Sequence, residues 1–344
     1  MSRFQVGGRV WTDNTAPMTI AETGMCHNNN MDRAIRLVDA IYKAGFDVFK
    51  TQCYKTQNLY SPKDSDLYNN ASEREPDYTI LRIMKERCKE LDLAFCISCH
   101  DDESLDWAVR TLAPDILKVG SGECRNWDFI IKCMDTDLPL IISTGMCDTD
   151  DIVALSELIM FRDNTAILHC MTEYPHTIRG SCLYNIVDYK KSFFPAHMVG
   201  FSDHSEQNSP MASSLAVAMG ARILERHVDL YENENPGRDR QVSMTGFVSM
   251  AGYTLAVHDA YTASNTCSYT QAKSDDNTWA RKSPYATRDI RSGDLLDKAD
   301  YVLLRPGGGV PPDAIHNRQA KLYIPAGTCI TEDHLMPLLE GKAG

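Results

Sequence analysis

The chain has 344 residues, 43% of them hydrophobic and 24% charged, which is typical of a soluble globular protein with room for one large and one small domain. A net charge of −12 without a long basic run argues against nucleic acid as a partner. No apolar stretch approaches the ~18 residues of a membrane span, and the N-terminus lacks a secretory signal, so we expect no membrane association. The twelve cysteines are scattered, which favours buried thiols of a cytoplasmic protein over a disulfide framework.

Eight short apolar runs recur along the chain, and each ends in polar or charged residues. They cover residues 18–23, 48–52, 94–100, 116–121, 139–144, 166–171, 198–204 and 221–227. Helical patterns alternate with these runs at residues 31–45, 79–92, 103–112, 150–160 and 209–220. Alternation of strands and helices predicts a parallel sheet. Eight repeats without a GxGxxG turn favour a closed (β/α)8 TIM barrel, an α/β fold, over a doubly wound sheet.

Three segments outside this pattern set the domain boundaries. Residues 53–78 are too long for an ordinary loop and rich in Asn, Asp, Ser and Tyr, which indicates a lid or substrate loop. The barrel pattern ends near residue 261, so residues 1–262 form the predicted catalytic domain. Residues 263–278 are polar and aperiodic, which predicts a linker. Residues 279–344 carry short strands, Gly turns and a pseudo-repeat, which predict a small β-rich domain.

Barrel enzymes build their active site from the C-terminal ends of the strands. In this chain those ends carry lysines, histidines, glutamates and hydroxyl groups, the kinds of side chain that catalyse reactions in enzymes. The residues are Glu22, Lys50, Gln52, Ser98, Lys118, Ser121, Ser143, Ser202, His204, Glu225 and His227.

His204 and His227 end the seventh and eighth predicted strands, which are neighbours in a barrel. Two imidazoles on adjacent strand ends can share one divalent cation, with other positions left for water and substrate. The oxygen-rich surroundings favour Mn²⁺ or Mg²⁺ over a structural zinc. The alternative is one buried and one surface histidine. Because both residues have acidic neighbours, Asp203 and Glu225, we favour the metal site.

Lys50 and Lys118 end the second and fourth strands, where a lysine is costly unless it meets an anion. Serines at nearby strand ends add hydroxyl donors, and the small residues of 118–123 allow close approach of backbone N–H groups. This pattern predicts a site for phosphate or carboxylate. The alternatives are a salt bridge to Glu22 or Glu123 and a Schiff-base lysine, which would not need the two histidines.

Glu22 ends the first strand and faces the same predicted cavity. A carboxylate beside lysines and a cation stays ionised, so it can act as a base or position a ligand. Its alternative role is pairing with Lys50. The nearby Cys96 and Cys99 form a CxxC, but residues three apart on a strand face opposite sides, so we expect no joint metal or redox chemistry from them.

Taken together, these segments resemble the sialic acid synthase family. The similar motifs are IAETGMCHNNN, FKTQ, KVGSGE, ISTGM, LHCMTEYP, GFSDH and ERH followed by a GRD turn, and the C-terminal segment with its RPG loop is similar to that family's antifreeze-like (SAF) domain. The resemblance covers nearly the whole chain. It implies condensation of phosphoenolpyruvate with an N-acylated aldose such as N-acetylmannosamine, release of phosphate, a divalent metal and a domain-swapped homodimer.

The resemblance also implies a role for each matching residue. Glu22 would be the base, Gln52, Tyr174 and Asp239 would lie near the sugar, and His204 and His227 would hold the metal. Arg305 would reach the N-acyl group of a sugar bound to the other subunit. The residues implied to hold phosphoenolpyruvate are Lys50, Ser98, Lys118, Ser121, Ser143 and Ser202.

Some positions depart from the family pattern. Ser98 stands where threonine is common, Thr172 where some members have asparagine, and the CHNNN loop lacks the usual glycine. These departures and the unaligned segment 53–78 leave the acceptor sugar open, so a sister synthase making a legionaminic- or pseudaminic-type acid is an alternative. A catalytically silent sugar-binding barrel is a further alternative, which the intact charged residues disfavour.

Overall fold

The computed structural model describes residues 2–231, 238–265 and 278–337. The chain divides into two compact units, Met1–Cys267 and Ser268–Gly344. The division falls within the predicted linker, most of which, residues 266–277, lies outside the described residues. In the part of the chain that the structure describes, no helix is both long and apolar enough to span a membrane.

The first unit begins with a two-stranded antiparallel hairpin that the sequence analysis did not predict. Its strands are β1 (Arg3–Val6) and β2 (Arg9–Thr12), joined through Gly7 and Gly8. Phe4 and Trp11 are buried against Met18, at the start of the next strand. The hairpin therefore covers the N-terminal end of the barrel.

Eight parallel strands form a closed barrel, because the last strand pairs with both the first and the seventh. This confirms the predicted (β/α)8 architecture, and each predicted apolar run overlaps one of the eight strands. The strands are β3 (Met18–Glu22), β4 (Val48–Cys53), β5 (Ala94–Cys99), β6 (Ile116–Val119), β7 (Leu140–Ser143), β8 (Thr165–Cys170), β9 (Met198–Asp203) and β10 (Ile223–Asp229), with a short β11 (Met244–Thr245) beside β10.

Ten α-helices accompany the strands in the described part of this unit. They are α1 (Met31–Lys43), α2 (Thr56–Leu59), α3 (Ser65–Glu73), α4 (Tyr78–Glu90), α5 (Asp102–Trp107), α6 (Trp127–Met134), α7 (Thr149–Ile159), α8 (Tyr184–Asp188), α9 (Met211–Ala218) and α10 (Gly246–Asn265). The Asn30 side chain accepts a hydrogen bond from the Arg33 amide and so caps the N-terminus of α1.

In two irregular segments the structure contains more helix than the sequence predicted. Residues 53–78 contain the helices α2 and α3 rather than one long loop. The Asp64 side chain caps α3 by accepting a hydrogen bond from the Leu67 amide. The predicted linker from residue 263 begins too early, because α10 continues to Asn265.

Side chains on the strands alternate between two cores. Ile20, Cys96 and Ile223 point inward and pack with the hairpin, while Phe49 and Leu117 point outward toward the helices. Polar residues that continue the inward series beyond the apolar layers must therefore meet at the C-terminal mouth.

The second unit is built on the predicted pseudo-repeat. Strands β12 (Ser283–Ala286) and β13 (Tyr301–Leu304) pair antiparallel. Ile290 and Ile324 are equivalent residues of the two copies, and each backbone amide donates to the other's carbonyl over 2.9 Å. Both side chains are fully buried in one apolar core. The two copies therefore fold around each other as a single small β-rich unit.

Candidate active site

The C-terminal ends of the barrel strands surround a cavity of about 320 Å³. The structure brings together there every site residue predicted within the barrel unit. These are Glu22, Lys50, Gln52, Ser98, Lys118, Ser121, Ser143, Tyr174, Ser202, His204, His227 and Asp239. The remaining candidate, Arg305, belongs to the second unit, where its guanidinium carbon lies 6.0 Å from the centre of the Trp279 ring.

Parallel pairing places these side chains in register. Glu22 is the partner of both Lys50 and His227 across the neighbouring strand pairs. Ser98 is likewise the partner of Lys118. Five strands carry these residues: β3 to β6 and β10. The inward periodicity of two thus turns separate strand ends into one continuous lining.

A buried cluster of charges forms the floor of the cavity. The Lys50 ammonium group contacts the Glu22 carboxylate and lies 3.5 Å from Glu225 Oε1. Lys118 Nζ lies 3.9 Å from Glu225 Oε2 and donates to the Val119 carbonyl over 3.0 Å. The salt-bridge alternative is therefore realised for Lys50 with Glu22, whereas Lys118 meets Glu225 rather than Glu22 or Glu123.

Burial and neighbouring charge act against each other on these groups. Burial would raise the pKa of Glu22, but the charges of Lys50 and His227 outweigh it and hold that pKa below its usual range. Burial is likewise outweighed for Glu225, whose pKa is lowered by Lys118 and Lys50. Both carboxylates are therefore ionised at neutral pH.

The two lysines differ in how well their charge is compensated. Burial would lower the pKa of Lys50, but Glu22 and Glu225 raise it above the ordinary lysine value. For Lys118, burial and the charge of Lys50 outweigh the attraction of Glu225, and its pKa is lowered. Lys118 is thus the cation with the greater need of an anionic ligand.

The two histidines face each other across the mouth, with ring centres 5.1 Å apart. His204 Nδ1 lies 2.7 Å from the Met171 carbonyl oxygen. A carbonyl can only accept, so Nδ1 carries the hydrogen and Nε2 keeps its lone pair. The Tyr174 hydroxyl lies 2.9 Å from that Nε2. Burial, followed by the charge of His227, lowers the pKa of His204 to about 3, which keeps the imidazole neutral.

Of the two acidic neighbours used to support the metal prediction, only Glu225 faces the cavity. Asp203 points out of the barrel and forms a fully buried ion pair with Arg226 at 2.8 Å. Within residues 2–231, 238–265 and 278–337, no group of three or more His, Cys, Asp or Glu side chains is placed to hold a metal ion. His204 and His227 would therefore leave most coordination positions to water and substrate.

Several lining residues were not predicted from the sequence. His100, Met146, Cys170 and Thr172 lie on the cavity wall but were not predicted as site residues. His100 and Cys170 continue the inward periodicity of β5 and β8, so that periodicity could have identified them. Met146 lies in an irregular turn, where no such signal exists.

In the described part of the chain all eleven cysteines are free thiols, and most of them are buried, as predicted. Cys96 packs inside the barrel and Cys99 outside it. Burial raises the pKa of the Cys96 thiol well above its usual range, so it stays protonated.

Two family models match the chain: the NeuB family over residues 37–263 and the SAF domain over residues 281–336. The N,N'-diacetyllegionaminic acid synthase of Legionella pneumophila is 30% identical to this chain. The alignment covers 92% of this chain and 94% of that protein. The spore coat polysaccharide biosynthesis protein SpsE of Bacillus subtilis is 25% identical over 98% of each chain.

A solved structure shows the same fold. The crystal structure of N-acetylneuraminic acid (sialic acid) synthetase from Leptospira borgpetersenii in complex with citrate is 22% identical and superposes with a TM-score of 0.72 over 80% of this chain and 94% of that chain. Relatives are named as synthases of N,N'-diacetyllegionaminic acid, pseudaminic acid and N-acetylneuraminate 9-phosphate. With a family match over most of its length, this chain belongs to the NeuB family of nonulosonic acid synthases and carries a C-terminal SAF domain.

Proposed function

We propose that this chain condenses phosphoenolpyruvate with the open-chain form of an N-acylated aldose, forming a nonulosonic acid and releasing phosphate. The observation that carries the proposal is the pair of buried lysines, Lys50 and Lys118, at the floor of a serine-lined cavity. A ligand with both a carboxylate and a phosphate supplies the anions that such a floor binds.

The serines support the same ligand. Ser143 Oγ is buried and has no hydrogen-bond partner among the described residues, so it can donate to an incoming oxygen. Ser121 Oγ accepts from the Gly145 amide at 3.0 Å, and its own hydrogen is left for the ligand. Gly145 has a structural reason to be glycine, since a Cβ there would lie 2.8 Å from Ser121 Oγ.

Glu22 is placed to act as a base. Its Oε1 accepts from the Gly24 amide and from Gln52 Nε2, each at 2.9 Å, while Oε2 contacts Lys50. In the proposed reaction, C3 of phosphoenolpyruvate bonds to the aldehyde carbon while water adds at C2. Glu22 takes one proton from that water, and this proton passes on to the former aldehyde oxygen. The C2–O bond to phosphate then breaks, the C2 hydroxyl becomes the ketone, and phosphate leaves with the hydroxyl proton.

We also propose that His204 and His227 hold one divalent cation, Mn²⁺ or Mg²⁺. The fixed tautomer of His204 supports this, because a metal-bound imidazole commonly donates its other N–H to a backbone carbonyl. A bound cation would polarise the aldehyde oxygen of the acceptor. The two-histidine set leaves room for that oxygen and for water.

The acceptor is proposed as an N-acylated hexose such as N-acetylmannosamine. The relatives named as legionaminic and pseudaminic acid synthases support a second candidate, the N-acylated sugar precursor of a legionaminic- or pseudaminic-type acid.

Phosphate release, measured with phosphoenolpyruvate and a panel of both kinds of sugar, tests the proposal. We expect release that depends on the sugar, that EDTA abolishes and that Mn²⁺ restores. Sugar binding without phosphate release from any member of the panel would instead indicate a silent sugar-binding barrel. Full activity after chelation would contradict the metal site alone.

A further inference from the structure

A cavity of about 640 Å³ lies at the N-terminal end of the barrel, opposite the catalytic cavity. Its walls come from strand β1 of the hairpin, from the loop that joins α7 to β8, and from His197, which directly precedes β9. The volume falls within the ~300–1,000 Å³ that small-molecule sites occupy. None of the described residues that line the catalytic cavity lines this one.

Hydrogen bonds between side chains and backbone fix the walls of this cavity. The Asn164 side chain accepts from the Gln5 amide over 2.7 Å and donates to the Gln5 carbonyl over 2.8 Å, which joins the loop to the hairpin. His197 Nε2 lies 3.1 Å from the Ile159 carbonyl oxygen and 3.2 Å from that of Arg162, so Nε2 carries the hydrogen. Burial lowers the pKa of His197, so the ring is neutral at neutral pH. The cavity is therefore shaped by the protein alone.

Two guanidinium groups line the cavity without a carboxylate partner. Arg3 contacts the Gln5 side chain, and Arg162 Nη2 donates to the Leu138 carbonyl over 3.0 Å. Neither arginine forms an ion pair with a residue that the structure describes. Arg162 Nε is in addition buried and lacks a hydrogen-bond partner in that part of the chain. In a chain with a net charge of −12, two such cations in one cavity indicate an anionic ligand, and their donor forks suit phosphate oxygens.

An exposed aromatic ring belongs to the same lining. Phe161 is 94% exposed, and it follows Met160, which is 53% exposed. A phenyl ring in water forgoes a large apolar burial, which a planar ring stacked on it would recover. Proteins combine basic groups with aromatic side chains to bind the phosphates and bases of nucleotides. The Asp163 carboxylate, also in the lining, can accept from ribose hydroxyl groups.

We propose that this cavity binds a nucleoside monophosphate, with its phosphate on Arg3 and Arg162 and its base stacked on Phe161. Two guanidinium charges match the two negative charges of such a phosphate. Inorganic phosphate would meet the arginines alone and leave the ring in water, so it should bind more weakly. The site takes no part in the proposed reaction, and the inference does not depend on it.

Titration calorimetry of the whole chain tests the proposal. The probes are AMP, CMP, GMP and UMP, their four nucleosides, and inorganic phosphate. We expect at least one monophosphate to bind with a Kd below about 1 mM, and about tenfold or more tightly than either inorganic phosphate or its own nucleoside.

Two variants locate the binding, and both replace exposed side chains, so we expect them to fold. Arg3→Ala should weaken nucleotide and inorganic phosphate about tenfold, because it removes one charge-assisted contact. Phe161→Ala should weaken the nucleotide about tenfold and leave inorganic phosphate unchanged, because it removes only the stacking. Arg110→Ala and Tyr184→Ala are matched controls at exposed residues outside the cavity, and both should bind like wild type.

Excess phosphoenolpyruvate and the variant Lys118→Met distinguish this cavity from the catalytic one. We expect neither to change the affinity for the nucleotide. Displacement by phosphoenolpyruvate, or loss of binding in Lys118→Met, would place the nucleotide in the catalytic cavity and overturn the proposal. Equal affinity for inorganic phosphate and the best nucleotide, unchanged affinity in Arg3→Ala and Phe161→Ala, or no measurable binding of any monophosphate would also overturn it. Phosphate release by wild type bears on the proposed function alone.

Discussion

Lys50 and Lys118 are almost fully buried. Without partners, the desolvation of their charges would strongly destabilise the folded state. Glu22 and Glu225 remove that cost, so the floor contains two positive and two negative charges before substrate arrives. The salt bridges and the anion site are therefore compatible functions of the same lysines. Lys118 lies farther from its carboxylate partner than Lys50 does. Because less of its charge is neutralised, Lys118 attracts an anionic ligand more strongly.

Lys118→Met should weaken binding of phosphoenolpyruvate. Methionine keeps most of the stem, and loss of one charge-assisted contact costs about 1.5–3 kcal/mol. The KM for phosphoenolpyruvate, or its dissociation constant by calorimetry, measures the effect, with the thermal midpoint as a check on folding. An unchanged affinity would show that Lys118 serves only its ion pair with Glu225.

Asp203 and Arg226 form a second charge pair, on the outer side of β9 and β10. Asp203→Asn should lower the free energy of unfolding by about 3–5 kcal/mol, because Arg226 would keep a buried charge without its partner. The control is Asp102→Asn, whose ion pair with Lys132 is more than half exposed and contributes at most about 1 kcal/mol. Urea unfolding at neutral pH compares the two.

The same pair makes a prediction about pH. Burial would raise the pKa of Asp203, but Arg226 and hydrogen bonds from two serines hold it below the usual 3.8. Such a carboxylate stabilises the fold fully above its unfolded pKa, and the stabilisation is lost as pH falls through the folded pKa. The difference between wild type and Asp203→Asn should thus stay constant at pH 5–8 and shrink only below about pH 4. A difference that shrank between pH 7 and pH 5 would assign the effect to another group.

At the scale of single elements, the closure of the barrel depends on a glycine in β9. A Cβ on Gly200 would collide with the Ile223 carbonyl of β10 and reach 2.5 Å from Leu168 Cδ2. Gly200→Ala should therefore be destabilising by about 1–3 kcal/mol, as overpacking is in other cores. Gly252 offers a control on α10, because a Cβ there would meet nothing within 4 Å.

The control should change stability in the opposite direction. Gly252→Ala raises helix propensity and should stabilise by about 0.5–1 kcal/mol. Thermal unfolding of the two variants beside wild type gives both signs. Equal stability of Gly200→Ala and wild type would mean that β9 and β10 can separate without cost.

How well elements could be predicted depended on their periodicity. The barrel strands are apolar runs with polar or charged ends, so their number and order could be predicted. Most cavity residues then followed from the alternation of inward and outward side chains along each strand. The hairpin was missed although Gly7-Gly8 between RFQV and RVWT is a turn signal, because each strand has only four residues and buries one face. Helix α3 was missed because its polar sequence has little apolar periodicity and it starts from a local cap at Asp64. His100 and Cys170 were missed although they continue the inward period of two at the ends of β5 and β8.

At the scale of the whole molecule, the two units have separate cores, and Arg305 is the predicted site residue that lies outside the barrel. It follows directly on β13 in the RPG loop, beside the exposed ring of Trp279. An arginine presented on a separate domain can bind the neutral acyl group of the acceptor with its fork of donors, since the anions of phosphoenolpyruvate are proposed to bind the barrel lysines. We therefore propose a domain-swapped homodimer in which Arg305 completes the site of the other subunit.

Mixing two inactive proteins tests this arrangement. Glu22→Gln lacks the base and Arg305→Ala lacks the acyl contact, so each homodimer should have low activity. In a mixed dimer with shared sites, one of the two sites combines an intact Glu22 with an intact Arg305 from the other chain. After free exchange of subunits at equal concentrations, about a quarter of all sites should be intact, and activity should return in that proportion. If Arg305 served its own barrel, every site of the mixed dimer would still lack one residue. Activity that stayed at the level of the separate variants, after exchange had been verified by mass spectrometry of tagged chains, would therefore assign Arg305 to its own subunit or to no site.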